Sequence, residues 1–241
     1  MSDPLPLSVR SVSAGYKDIT VFNDVNFNVQ SGEIFGFIGL NGQGKTTFIK
    51  TVLGLKDPVA GQISVLGVSA GASAAKRNIA YLPEKFMPAW FMSGYEFIRF
   101  SVSLYGANVS STQIDEMAKM LSLDVNALSR KVQTYSKGMA QKLGLIATVL
   151  TGAPFLVLDE PMSGLDPLAR SNVKEMLLAC KENGQTVFLS SHILSDLDEL
   201  CDRLCVLDSG SVQYLGDPIS LKKQEKKKSL EAAFLSVLGD R

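Results

Sequence analysis

Very little in this sequence suits life outside a cell or a polyanionic partner. Cysteine is scarce, with Cys180, Cys201 and Cys205 the only three in 241 residues. They show no C-x-x-C spacing and cannot all pair, which argues against a zinc module or a disulfide framework and fits packed thiols in a reducing compartment. Net charge is missing too, since 24 basic side chains balance 24 acidic ones; no nucleic-acid partner is expected. Met1 to Arg10 has no apolar segment behind a basic start, so neither a signal peptide nor a transit sequence is expected there. No apolar run is long enough to span a bilayer. The uncharged stretch Leu143 to Leu158 falls short of the ~20 residues a spanning helix needs, and Thr151-Gly152-Ala153-Pro154 interrupts it. Membrane association is therefore expected only through a partner. Histidine occurs once, as His192.

What is present points to one α/β domain, because a hydrophobic fraction of 46% is ample for a single core at this length. Val25, Phe27 and Val29 alternate with polar neighbours, as in a half-buried strand, whereas Ile34 to Ile38 is apolar throughout, as in a strand covered on both faces. Glycine breaks that pattern at Gly39, and Thr46 to Leu55 fits a helix. Further strands are expected at Ile79–Leu82, Phe155–Leu158 and Val187–Leu189, with helical stretches between the later ones, so the sheet should be mostly parallel. Leu204–Leu207 and Val212–Leu215 read as a hairpin turning at Asp208-Ser209-Gly210.

From Phe86 to Leu150 the spacing is helical. The expected organisation is one domain over 1–241: an α/β core (1–85 and 151–216), an inserted helical subdomain (86–150) and a C-terminal helical tail (217–241). The tail has Lys222, Lys223, Lys226, Lys227 and Lys228 ahead of an apolar cluster that includes Phe234 and Leu235. A solvated helix packed lightly on the core is preferred there over anionic-lipid binding.

Gly39-Leu40-Asn41-Gly42-Gln43-Gly44-Lys45-Thr46 fits G-x-x-x-x-G-K-[ST], between a strand and a helix. Glycines let backbone N–H groups turn inward around phosphate oxygens, and the helix that follows presents its positive end to them. Lys45 is expected to reach the β and γ phosphates, with the Thr46 hydroxyl on magnesium. Phe155 to Glu160 reads as a buried strand ending in two carboxylates. Asp159 is placed to hold magnesium, and Glu160 to orient or deprotonate an attacking water. His192 also follows a core strand, which favours contact with the γ-phosphate over a structural role.

Tyr135-Ser136-Lys137-Gly138-Met139-Ala140-Gln141 then opens an apolar helix shortly before the acidic strand. With it, the chain resembles the ATP-binding subunits of ABC transporters nearly end to end. The resemblance implies a P-loop NTPase (RecA-like) core with a mostly parallel sheet, N-terminal antiparallel strands and an inserted helical subdomain. It matches Tyr16 to the aromatic that stacks on adenine, Gly39 to Thr46 to the Walker A loop, and Asp159-Glu160 to the Walker B pair. Asn41, Gly42, Gly44, Lys45, Thr46 and Thr47 are the expected nucleotide contacts of that loop. Ser136 and Gly138 match the signature loop, Ser163-Gly164-Leu165-Asp166 looks like the D-loop, and His192 like the switch histidine.

The same resemblance implies ATP and Mg2+ as ligands. It further implies a head-to-tail dimer closed around two nucleotides, and transmembrane permease subunits as partners at the cytoplasmic face of the membrane. Tyr135, Lys137 and Met139 depart from the usual Leu-Ser-Gly-Gly-Gln, and Glu84 stands where glutamine is common; a carboxylate there is a candidate magnesium ligand. The aromatic segment Glu84 to Tyr105 matches the region that meets the permease, although core packing would explain some of its rings. The C-terminus resembles export-type ATPases. Two other readings are a soluble ABC-type ATPase acting on DNA or ribosomes, which lacks the usual coiled-coil or zinc insertion here, and a P-loop kinase or GTPase, which would leave the signature segment unexplained.

Overall fold

The computed structural model describes residues 4–17 and 19–239. Met1 to Asp3, part of the stretch expected to carry no leader, and the last two residues of the expected tail lie outside the described residues. Strands β1 (Leu7–Tyr16) and β2 (Ile19–Val29) precede β3 (Ile34–Ile38), helix α1 (Lys45–Val52), β4 (Ala60–Val65) and a short β5 (Val68–Ser69). Next come α2 (Ser73–Lys76), β6 (Ile79–Leu82), α3 (Gly94–Ser103), α4 (Ser111–Met120) and α5 (Lys137–Leu150). The chain continues through β7 (Phe155–Asp159), α6 (Pro167–Glu182), β8 (Thr186–Ser190), α7 (Leu194–Leu200), β9 (Arg203–Asp208) and β10 (Ser211–Gly216), then ends with α8 (Pro218–Gln224) and α9 (Leu230–Leu238).

Two sheets form. One is antiparallel, in the order β2-β1-β4-β5; the other has the order β10-β9-β3-β8-β7-β6 and is parallel except for the β9–β10 hairpin. That hairpin closes over Ser209 and Gly210, both at positive φ, as a two-residue turn matched to strand twist requires.

The parallel strands are apolar throughout because they are covered on both faces. Phe35 and Phe37 of β3 join Phe27, Phe48 and Phe188 in a stack of rings between the two sheets, with the Phe37 and Phe48 centroids 4.6 Å apart. Ile34 and Ile38 point the other way, into a second cluster shared with Leu156, Leu158 and Val187. Helices α3, α4 and α5 contribute Ile98, Ile114 and Leu143 to that same cluster.

Helix α1 stops at Val52, short of Leu55. Gly54 takes a left-handed conformation at φ 60, and the N–H of Leu55 bonds to the carbonyl of Lys50. This is a helix-ending motif that glycine favours two residues past the last turn. The tail is two helices, and it is more than a solvated one: Leu230, Ala233 and Phe234 of α9 are core residues, and Lys222 of α8 pairs with Asp198 of α7 at 2.5 Å.

Candidate functional site

Four neighbouring parallel strands, β3, β8, β7 and β6, all run the same way, so the segments that follow them emerge along one edge of the sheet. Ser190 is in register with both Phe37 of β3 and Asp159 of β7, and Leu158 is in register with Leu82. That alignment delivers the glycine loop, His192, the Asp159-Glu160 pair and Glu84 side by side. They surround a cavity of about 500 Å³ lined by Asn41, Gly42, Gly44, Lys45, Thr46, Thr47, Glu84, Asp159, Glu160 and His192, together with Val21 and Ser163.

The glycine loop is shaped by contacts that exclude side chains. A Cβ on Gly39 would lie 2.5 Å from the carbonyl oxygen of Leu207, and one on Gly44, whose φ is 98, would lie 2.5 Å from Cγ1 of Val21. Gly44 immediately precedes α1, so the first N–H groups of the helix face the cavity without a side-chain cap. Lys45 folds back over the loop, its Nζ donating to the carbonyls of Gly39 at 2.6 Å and Leu40 at 3.2 Å. Burial lowers its pKa, opposed by the nearby carboxylates of Glu160, Asp159 and Glu84.

Ser190 organises the acidic side. Its Oγ donates to Oδ1 of Asp159 at 2.5 Å and accepts from the backbone N–H of Glu160 at 3.1 Å. Burial raises the Asp159 pKa, the Ser190 hydrogen bond pulls it back down, and the charges of Glu160 and Glu84 push it up further. Glu160 has φ 52, a left-handed conformation that costs a non-glycine residue about 1–2 kcal/mol. Its carboxylate accepts from His192 twice, from the backbone N–H at 3.3 Å and from Nδ1 at 2.6 Å. An ionised carboxylate only accepts, so the Nδ1 position carries a proton and Nε2 is the nitrogen left to meet a ligand. The imidazole side chain is 56% exposed and the Glu160 side chain 9%.

These groups are chemically suited to a triphosphate and a hard divalent ion. Thr46, Asp159 and Glu84 offer only oxygen donors. Among the described residues no three acidic, histidine or cysteine side chains form a protein-only metal cage.

Other expected site residues lie elsewhere. Ser136 caps α5, accepting from the N–H of Met139, and is exposed. Gly138 faces Leu165, and the Lys137 side chain lies 3.5 Å from where a Cβ on Gly164 would be, so the signature and D-loop segments pack on each other. Asp166 caps α6 through the N–H of Ala169. Tyr16 is exposed, with the Lys56 ammonium 4.1 Å above its ring. None of these lines the cavity.

Sequence reasoning assigned no role to Val21, Ser190 or Gln141. Gln141 is buried and donates to the Pro161 carbonyl at 3.0 Å, tying α5 to the segment after Glu160. A glutamine four residues after the start of a largely apolar helix is the available signal.

The aromatic segment divides in two. Phe86 and Phe97 form an edge-on pair, 5.7 Å between centroids, packed against the core. Met87, Trp90 and Phe91 are exposed by 88%, 65% and 56%.

Residues 22–163 match the family model described as ABC transporter. The chain is 37% identical to an uncharacterized ABC transporter ATP-binding protein of Nostoc over 79% of its own length, and 34% identical to the Nod factor export ATP-binding protein I of Burkholderia lata over 91%. It spans 58% of the Nostoc protein and 54% of a Synechocystis relative, but 73% of the Burkholderia one. A solved structure described as an ATP binding subunit of an ABC transporter superposes with a TM-score of 0.87 at 32% identity, over 96% of this chain and 99% of that one.

Proposed function

This chain belongs to the ABC transporter family, and from that premise we propose that it is the ATP-hydrolysing, energy-coupling subunit of a membrane transporter, most plainly an exporter. The observation that carries the reading is the strand edge itself: glycine cradle, Lys45, Thr46, two carboxylates and His192 around one cavity. The export direction rests on similarity to a protein named for Nod factor export.

Lys45 exchanges its contact with the Leu40 carbonyl for β- and γ-phosphate oxygens, while the loop N–H groups and the start of α1 hold the phosphate tail. Mg2+, when bound, would be held by Thr46, Asp159 and Glu84 and would supply charge neutralisation at the β- and γ-phosphate oxygens. Glu160 orients the attacking water and takes its proton. His192, held at Nδ1 by Glu160, turns Nε2 toward the γ-phosphate.

Ser136 and Gly138 lie outside the cavity on a helix tip, capped at Met139 by Ser136, whose dipole presents its positive end to an anion. A second copy placed head to tail brings them onto this copy's γ-phosphate, while Tyr16 stacks on adenine and Asp166 lies at the shared seam. Such a dimer closes with ATP and loosens after hydrolysis, because the bridging γ-phosphate charge is lost. The exposed Met87, Trp90 and Phe91 form the surface that meets the permease. Among the described residues no helix is long and apolar enough to cross a membrane; attachment at the cytoplasmic face runs through the permease subunits.

Size-exclusion chromatography of Glu160→Gln tests this. The variant should bind ATP, hydrolyse it ~100-fold or more slowly and elute as a dimer only with ATP and magnesium. A monomer with normal turnover would refute both the role of Glu160 and the sandwich.

A further inference from the structure

We propose that the C-terminal helix α9 positions the His192 loop, with Phe234 as a buried stop behind the loop and α8 as the tie that keeps the stop in place. The proposal rests on the reading of His192 given above and concerns a residue that touches neither nucleotide nor water.

The loop from Ser191 to Ile193 is gripped at the front and loose at the back. At the front, Glu160 accepts from both the backbone N–H and Nδ1 of His192. Behind it lies a small cavity of about 120 Å³, lined by Leu40, Ser191, His192, Leu194 and Phe234 among others. The Phe234 ring, which is only 5% exposed, forms part of its wall. Leu40 of the glycine loop lines the same space.

The helix after the loop gives it little local support. Helices α3, α4, α5, α6, α8 and α9 each begin on a Ser or Asp side chain that accepts a backbone N–H, whereas α7, like α1 and α2, begins with no side-chain cap. The local ties are the Ser191 Oγ, which accepts from the Ile193 N–H at 3.0 Å, and the Ile193 carbonyl, which accepts from the Asp196 N–H at 3.2 Å. The body of α7, by contrast, is fastened on two sides. Asp196 pairs with Arg170 of α6 at 2.8 Å, and Asp198 pairs with Lys222 of α8 at 2.5 Å. Ser236 of α9 donates to Glu225 just after α8 at 2.8 Å, which locks the two tail helices together. Packing by α9 therefore supplies at the start of α7 the restraint that a side-chain cap supplies in those six helices.

His192 is the only histidine, so its imidazole nitrogens give the only such signals in a ¹⁵N spectrum and report loop position without any turnover. The experiment compares full-length wild type, Phe234→Ala, Phe234→Leu and Lys222→Gln at one pH, alongside Ile114→Ala as a control of similar core cost in α4. Phe234→Ala should move and broaden the Nδ1 signal and lower kcat about tenfold with KM for ATP unchanged. Phe234→Leu should recover most of both. Lys222→Gln should lower kcat about threefold, and the exchange Lys222→Asp with Asp198→Lys should restore it. Ile114→Ala should leave the imidazole signals in place.

Wild-type Nδ1 signals and kcat in a folded Phe234→Ala protein would overturn the proposal while leaving the ATPase reading intact. A kcat loss shared equally by Ile114→Ala, or carried by KM, would overturn it too. Should Phe234→Ala not fold, Phe234→Leu and Lys222→Gln decide by the same two readouts. A protein that moves its His192 signals as expected yet never hydrolyses ATP would sink the ATPase reading and sustain the positioning role.

Discussion

At the edge of the parallel sheet, Lys45, Asp159, Glu160 and His192 are held by strands in register and by hydrogen bonds among neighbouring segments; at the tip of α5, Ser136 and Gly138 are held by their own helix and the D-loop. The first region is assembled within one chain, down to Ser190 bonding Asp159 and Glu160 at once. The second is a helix end whose Met139 N–H is capped by the exposed Ser136. On the proposed head-to-tail dimer, the difference teaches that a binding half-site and a recognition half-site follow different rules. One needs many strands to converge, while the other needs only a cap, and so it can be presented to a second molecule.

Breaking the strand-edge region should have the largest effect. Lys45→Ala removes the cation of the cradle and should weaken ATP binding by roughly two orders of magnitude, ~2.7 kcal/mol in a titration of the nucleotide. Ser190→Ala deletes one donor and one acceptor at ~1 kcal/mol each. The expected result is about tenfold slower hydrolysis with ATP affinity nearly unchanged, read in steady-state kinetics.

Ser136→Ala sharpens the contrast, because it removes a helix cap worth ~1 kcal/mol and the outward-facing hydroxyl together. Thermal unfolding should shift by a few degrees and monomer affinity for ATP should hold. ATP-dependent dimerisation in an otherwise hydrolysis-deficient background should drop. If monomer affinity fell instead, Ser136 would belong to its own chain's site.

The smallest expected change separates stability from function. Burial raises the folded-state pKa of Asp159 above its unfolded value, so the folded state binds the proton more tightly and ionisation costs stability. That cost is absent in acid, grows as pH rises through the ordinary carboxylate range toward the elevated pKa, and is fully present at neutral pH. Asp159→Asn should therefore raise the nucleotide-free melting temperature at neutral pH, read in a thermal melt. The gain should vanish in acid, and magnesium-dependent hydrolysis should be lost.

Much of the strand edge was legible from residues alone. Ile34–Ile38 and Ile79–Leu82 stand as strands with the expected bounds, since an apolar run closed by glycine or proline has few other conformations. The glycine loop, the carboxylate pair and His192 come together as their positions after strands implied. Ser190 was not legible as a bridge, because its role depends on which strands are neighbours, and the order β3-β8-β7 is absent from chain order. The same limit hid Phe234. Read along the chain it sits behind a run of lysines and looks like part of a solvated helix; across the fold it lies beside Leu40 and His192. The aromatic segment was legible only as a composition, and its division into a packed pair and an exposed triad depends on the Phe86 ring filling the space above Gly144.

Strand register has a further consequence, for how this protein tolerates change in length. Neighbouring strands lie about 4.8 Å apart and each residue advances about 3.3 Å, so the sheet acts as a ruler on which Asp159, Ser190 and Phe37 share one graduation. Losing a single residue inside β7 or β8 would slide a carboxylate or the histidine off that mark and turn its side chain to the opposite face. An added residue at Gly184, in the exposed turn between α6 and β8, touches no graduation at all.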